Sequence, residues 1–204
     1  MKWLWLVFLA GIALTAADQP RVVFSKSFPG SVPPYVSIAA DQNGATYNES
    51  KDPDNEETLK LEPAVLRQIF ELAGRLEHFK KPLESGLKIA NMGQKTFRWE
   101  DGAERQEASF NYSQVDDAKT LADIFERIGD SVRMLVELKR VMRHDKLGVN
   151  DATLRIQTAF DGKRLVGTPQ YLPVLEQVAA NELFIHMARE RAARMVDAIR
   201  AANP

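Results

Sequence analysis

From Asp116 onward, large apolar residues return every three or four positions: Leu121, Phe125, Ile128, Val132, Leu135, Leu138 and Met142. That spacing lines one side of a long helix over about three heptads. Gly148 reads as the C′ residue that closes it, and Asn150 as the cap of a short helix over 151–160 that ends before Gly162. A last helix over 173–201 carries Val174, Val178, Ile185, Ala192, Val196 and Ile199 on its main stripe. Leu183 and Met187 fall on the opposite side, so the first half of that helix is expected to be apolar on two faces.

The first half of the chain alternates instead. Residues 21–28 read as extended and lead into the turn region Phe28-Pro29-Gly30-Ser31-Val32-Pro33-Pro34. Asp41-Gln42-Asn43-Gly44 is a hairpin signal between β-forming segments at 35–40 and 45–48, and 49–57 is a polar loop. A helix opens at Pro63, with Val65, Ile69, Leu72, Leu76 and Phe79 on one stripe, and Pro82 stops it. In a second hairpin, Asp101-Gly102 as a two-residue turn pairs Glu100 with Ala103. Phe97 and Trp99 then share a face with Ala108, Phe110 and Tyr112, opposite Thr96, Arg98, Arg105 and Glu107.

The fold class that follows is α+β, a small antiparallel sheet of two hairpins flanking a helix, followed by a long, a short and a long helix. No Gly-, Ser- or Pro-rich linker divides the chain near Ser113. The expectation is one domain over 18–204, with a hairpin–helix–hairpin part over 18–113 and a helical part over 114–204.

The N-terminus changes the picture of where this domain works. Lys2 precedes an uncharged apolar run from Trp3 to Leu14, and Thr15, Ala16 and Ala17 place small residues before Asp18. Twelve apolar residues rise only about 18 Å as a helix, short of the ~30 Å hydrocarbon core. Residues 1–17 therefore read as a cleaved secretory signal, and the mature chain is expected in the periplasm or outside the cell with no stable membrane insertion. The 204 residues contain no cysteine, which excludes thiol nucleophiles, Cys-ligated zinc, an N-terminal lipidated Cys and disulfides. Lys and Arg total 27 against 28 Asp and Glu, and loss of Lys2 leaves 26 basic residues. So even a balance gives no footing for a nucleic-acid partner.

Four segments carry a resemblance: Asn91-Met92-Gly93-Gln94-Lys95-Thr96-Phe97, Phe110-Asn111-Tyr112-Ser113, His144-Asp145-Lys146-Leu147-Gly148-Val149, and His186-Met187-Ala188-Arg189-Glu190-Arg191-Ala192-Ala193. Through them most of the mature chain resembles a group of exported bacterial proteins without assigned function. The likeness implies export and no mechanism.

No catalytic or cofactor motif satisfies its own spacing rules, and no cofactor is expected. Glu182, His186 and Glu190 sit at i, i+4 and i+8. On one helix they span about 12 Å, too far for a single metal ion, and Glu190 has an ordinary ion-pair partner in Arg194. His144 and Arg143 at the end of the long helix answer its dipole, and no Gly-x-Ser-x-Gly elbow accompanies His144-Asp145. Asp52-Pro53-Asp54-Asn55-Glu56-Glu57 fails as an EF-hand, with Glu57 at its sixth and Pro63 at its twelfth position. The aromatic face of Phe97, Trp99, Phe110 and Tyr112 reads as sheet core in preference to a ligand platform.

Met134 and Val141 lie off the seam of the long helix, as Leu183 and Met187 lie off that of the last helix. These four form the candidate binding patch. The leading expectation is a non-enzymatic exported protein that binds a protein partner or self-associates. The alternative is an exported hydrolase whose carboxylate/histidine site spacing does not reveal, to be recognised by convergence of His78, His144 and His186 with an acid.

Overall fold

The computed structural model describes residues 19–50 and 56–202; the N-terminal segment expected to be a secretory signal and part of the acidic loop lie outside them. The architecture is α+β. Six strands form one antiparallel sheet in the order β4-β3-β2-β1-β5-β6: β1 Arg21–Ser27, β2 Tyr35–Asp41, β3 Gly44–Asn48, β4 Glu57–Leu59, β5 Gln94–Asp101 and β6 Glu104–Phe110. The two predicted hairpins are β2–β3 and β5–β6, and β1 joins them by pairing with β2 on one side and β5 on the other.

The β5–β6 register corrects the expectation. Asp101 pairs with Glu104 and Glu100 with Arg105, so Gly102 and Ala103 are the loop. The partner shifts by two residues, and an even shift leaves every side chain on its face. Phe97, Trp99, Ala108 and Phe110 are accordingly all buried on the helix side.

That side is covered by α1 (Pro63–Arg75) and α2 (Asp116–His144). Val22, Phe24, Ile38, Tyr47 and Leu59 project from the strands into the same core, where Phe24 stacks on Phe125 at 5.3 Å. α1 stops at Arg75, earlier than Pro82. Glu77, His78 and Phe79 then all take positive φ, a left-handed turn that returns Phe79 to the core against Phe97 at 5.2 Å. His78 lies flat on Trp99, ring centres 4.1 Å apart. The opposite sheet face carries polar groups, among them Thr96, whose hydroxyl meets that of Ser109 at 2.7 Å, and Arg98, paired with Glu107 at 3.1 Å.

α2, 29 residues and about 43 Å long, is the spine. Leu121, Phe125, Ile128 and Val132 enter the sheet core, while Leu135, Leu138 and Val141 enter a second core with α3 (Gly148–Asp161), α4 (Leu172–Ala180) and α5 (His186–Ala202). Gly148 does not close α2. It is the first residue of α3, its N–H is held by the Asp145 carboxylate at 3.0 Å, and a Cβ there would lie 2.5 Å from that carboxylate.

The single last helix is in fact two. At Asn181 the side-chain oxygen accepts the Leu183 N–H at 3.0 Å, offering the backbone an alternative to the next helical bond. The break turns Phe184 inward and Leu183 outward, and Arg189 from α5 satisfies the Ala179 carbonyl at the end of α4.

The sheet and helical parts are tied at residues 163–171. The Glu62 carboxylate accepts from Gly167 N–H (2.9 Å), Thr168 N–H (3.0 Å) and the Thr168 hydroxyl (3.1 Å). Arg127 donates to the carbonyls of Lys163 and Arg164, and the Tyr171 hydroxyl donates to that of Ser131. Gly167 has φ +65°, and a Cβ there would sit 2.7 Å from the Leu59 side chain.

Candidate functional site

α2 lies close on the sheet at Gly129, where a Cβ would stand 3.3 Å from the Tyr47 ring and 3.4 Å from Ile38. Beside this contact a cleft of about 270 Å³ opens between α2 and the β1–β2 connection. Its floor is Phe24, Ile38 and Phe125, and its outer wall is Phe28, Val32, Pro33 and Val36. The wall is a fixed loop. Phe28 N–H donates to Pro34 O at 2.9 Å, and the Ser31 hydroxyl lies 2.7 Å from the carbonyls of both Phe28 and Pro33. Gly30 supplies the positive φ (+90°) that the fold-back requires. Val32 is left 95 % exposed at its tip.

The rim is charged, and its charges answer one another. Lys26 donates to Glu126 at 2.8 Å, Arg133 to Asp130, and the Tyr47 hydroxyl to Glu49 at 2.6 Å. Burial, followed by the Glu49 hydrogen bond, drives the Tyr47 hydroxyl well above the usual tyrosine range. On the far side of Arg133 lies a second, open trough of about 690 Å³ bounded by Glu49, Val136, Glu137 and Arg155.

Next to the cleft, Lys95 pairs directly with Lys26 across β1 and β5, both on the helix side. Lys95 is 9 % exposed; its ammonium donates to the Asn111 carbonyl at 3.1 Å and sits 5.9 Å over the Phe110 ring. Burial, and after it the charge of Lys26, pulls Lys95 below the usual lysine range. Asn111 also fixes the connection before β5: its N–H donates to Glu84, its side-chain N–H to Ala90 O, and its side-chain oxygen accepts from Met92 N–H at 2.7 Å.

The sequence-derived patch is dispersed. Leu183 (65 %) and Met187 (58 %) are exposed at the α4–α5 corner, together with Ile185. Val141 is buried (3 %) in the helical core beside Gly148 of α3, and Met134 is partly buried near Ala152 of the same helix. Glu182 lies in that break, His186 pairs with Glu190 at 3.2 Å, and Glu190 reaches Arg194 at 4.0 Å. Among the described residues no three His, Asp or Glu side chains gather as a metal site. His78, His144 and His186 occupy three different places: against Trp99, at the end of α2 and at the start of α5.

The cleft itself escaped the periodicity argument because it is made by contacts such as Lys26–Glu126, 100 residues apart. Two signals for it are local: a lysine at the inward position after Val22 and Phe24, and the Pro-dense turn that ends in Val32.

Compared with known proteins, the chain matches no protein-family model and no curated protein.

Proposed function

We propose that this chain is an exported, non-enzymatic binding protein that takes an apolar group into the cleft between α2 and the β1–β2 connection. One observation carries the reading: the cleft has an aromatic and aliphatic floor, while its rim charges are paired with one another. An apolar group enters without breaking an ion pair, and every Å² of apolar surface it buries contributes about 25 cal/mol. N-phenyl-1-naphthylamine, a neutral apolar fluorophore, should brighten on the purified protein. Val36→Trp, which fills the cleft, should abolish the signal while leaving cooperative melting. An unchanged signal in that variant sinks the reading. Intact mass of the exported protein tests the location, with a start near Asp18 expected.

A second reading, self-association, is favoured by Leu183, Ile185 and Met187, three apolar side chains 65 %, 41 % and 58 % exposed around one corner. Light scattering decides it: a dimer dispersed by Leu183→Glu supports it, and a monomer at high micromolar concentration removes it.

A further inference from the structure

Beside the cleft, Lys95 has no carboxylate of its own among the described residues. Lys26 and Lys95 are opposed on adjacent strands, which puts their Cβ atoms about 5 Å apart. One carboxylate, Glu126, touches this pair, and it bonds Lys26 alone. The other carboxylate of the cleft, Asp130, is held by Arg133. Glu84, the remaining acid near Lys95, is occupied by the N–H groups of Asn111 (2.6 Å) and Ser85 (2.8 Å). Of the three N–H bonds of the Lys95 ammonium, one goes to the Asn111 carbonyl. Lys95 is thus served by one neutral carbonyl, beside a second ammonium at the edge of an apolar cleft, with no carboxylate in hydrogen-bonding contact among the described residues.

We propose that the ligand of this cleft is an amphipathic anion: a single aliphatic chain on Phe24, Phe28, Val36 and Phe125, with a carboxylate or phosphate head between Lys26 and Lys95. The proposal rests on the apolar reading of the cleft and adds the head group to it. At about 270 Å³ the cleft lies near the lower end of small-molecule sites, room for one narrow chain. Lys26, whose side chain is 32 % exposed, meets the head group first, with Lys95 behind it. Gly93 keeps this corner tight, since a Cβ there would stand 3.0 Å from Phe28 and 3.4 Å from Lys26. An arriving anion offsets the burial and, after it, the Lys26 charge that pull Lys95 down, and it competes with Glu126 for Lys26.

Calorimetric titration of the purified protein with decanoate, decyl phosphate and decanol, all below their micelle-forming concentrations, tests this. At least one anion should bind about tenfold or more tightly than decanol, the scale of one charge-assisted hydrogen bond. Preference for decanoate assigns a fatty acid, and preference for decyl phosphate a phosphate-headed lipid. Lys95→Gln should erase the preference, weakening the anions more than decanol. Because that variant disturbs a buried position, Glu126→Gln, at a half-buried position of α2, provides a second reading of opposite sign: it removes the competing carboxylate and should tighten the anions alone. Decanol binding as tightly as both anions overturns the head-group proposal and leaves the apolar cleft standing. Anion affinity unchanged or weakened by Glu126→Gln also overturns it. Failure of all three probes overturns both.

Discussion

Arg191 on α5 is 7 % exposed, and its guanidinium meets no carboxylate among the described residues. It is held by neutral oxygens of α3. Its Nη1 donates to the Asn150 carbonyl (3.1 Å), the Asn150 side-chain oxygen (2.9 Å) and the Thr153 hydroxyl (3.1 Å), and its Nε donates to Gln157 at 3.2 Å. The charge therefore sits in the first turn of α3, where the helix dipole is positive and repels it. Lysine at this position keeps the buried charge but has no planar fork. It must lose the Gln157 bond and at least one of the other three, at about 1.5 kcal/mol each, so Arg191→Lys should cost about 3 kcal/mol.

Methionine keeps the aliphatic stem and removes the charge. Four bonds vanish, yet the desolvation cost of an uncompensated ion vanishes with them. The acceptors left behind are not stranded: the Thr153 hydroxyl still donates to the Asn150 carbonyl at 2.9 Å, and Asn150 and Gln157 are both partly open to water. Arg191→Met should therefore cost only about 1 kcal/mol. Thermal unfolding followed by circular dichroism at 222 nm separates the two. A chain of this size shifts by roughly 2–4 °C per kcal/mol, so the lysine variant should melt below the methionine variant by about 4–8 °C. If lysine is the milder change, the charge itself is stabilising there and the dipole argument fails.

Glu62→Ala removes the acceptor of three hydrogen bonds that join the two cores and should cost about 2–4 kcal/mol; amide hydrogen exchange should quicken first at Gly167 and Thr168. Trp99→Ala should cost about 3–5 kcal/mol, since the ring is 7 % exposed between His78 and Phe70, and a variant of unchanged stability would show that the ring is not core. Burial raises the hydroxyls of both Tyr47 and Tyr171, which stay protonated in the native state. A group raised by folding contributes stability that is complete below its unfolded value, about 10 for tyrosine, and is lost as pH climbs above it. Tyrosinate absorbance at 295 nm should therefore stop short of all four tyrosines until alkaline unfolding releases the remainder, and a smooth titration of all four in the folded protein would contradict the burial.

The side-chain periodicities of this chain are legible, and its interruptions are not. The seam from Leu121 to Leu138 lies in the core because a period of 3.6 tolerates small errors in where a helix begins. The β5–β6 pairing survives a register error of two for the same kind of reason, since a strand repeats every two residues. Gly148 and Asn181 fail because each has two local meanings that only tertiary contacts separate. A glycine suits a C′ position, but here Asp145 turns back onto its N–H and starts α3. Asn181 lies inside an unbroken apolar stripe, and only the burial of Phe184 decides that the stripe ends there. α3 lies against Val141 and Met134 while Leu183 and Met187 stay exposed at the α4–α5 corner, which dissolves the patch that helical spacing had assembled. The four segments that suggested a resemblance meet in pairs. Asn111 ties down Met92 and Lys95, and Arg191 of the last segment bonds Asn150, next to the end of the third at Val149. Both are knots at the ends of elements, with full structural reasons of their own. The first of them also sets Lys95 beside Lys26, so a motif that carries no chemistry as a string places an ammonium without a carboxylate partner next to the apolar cleft.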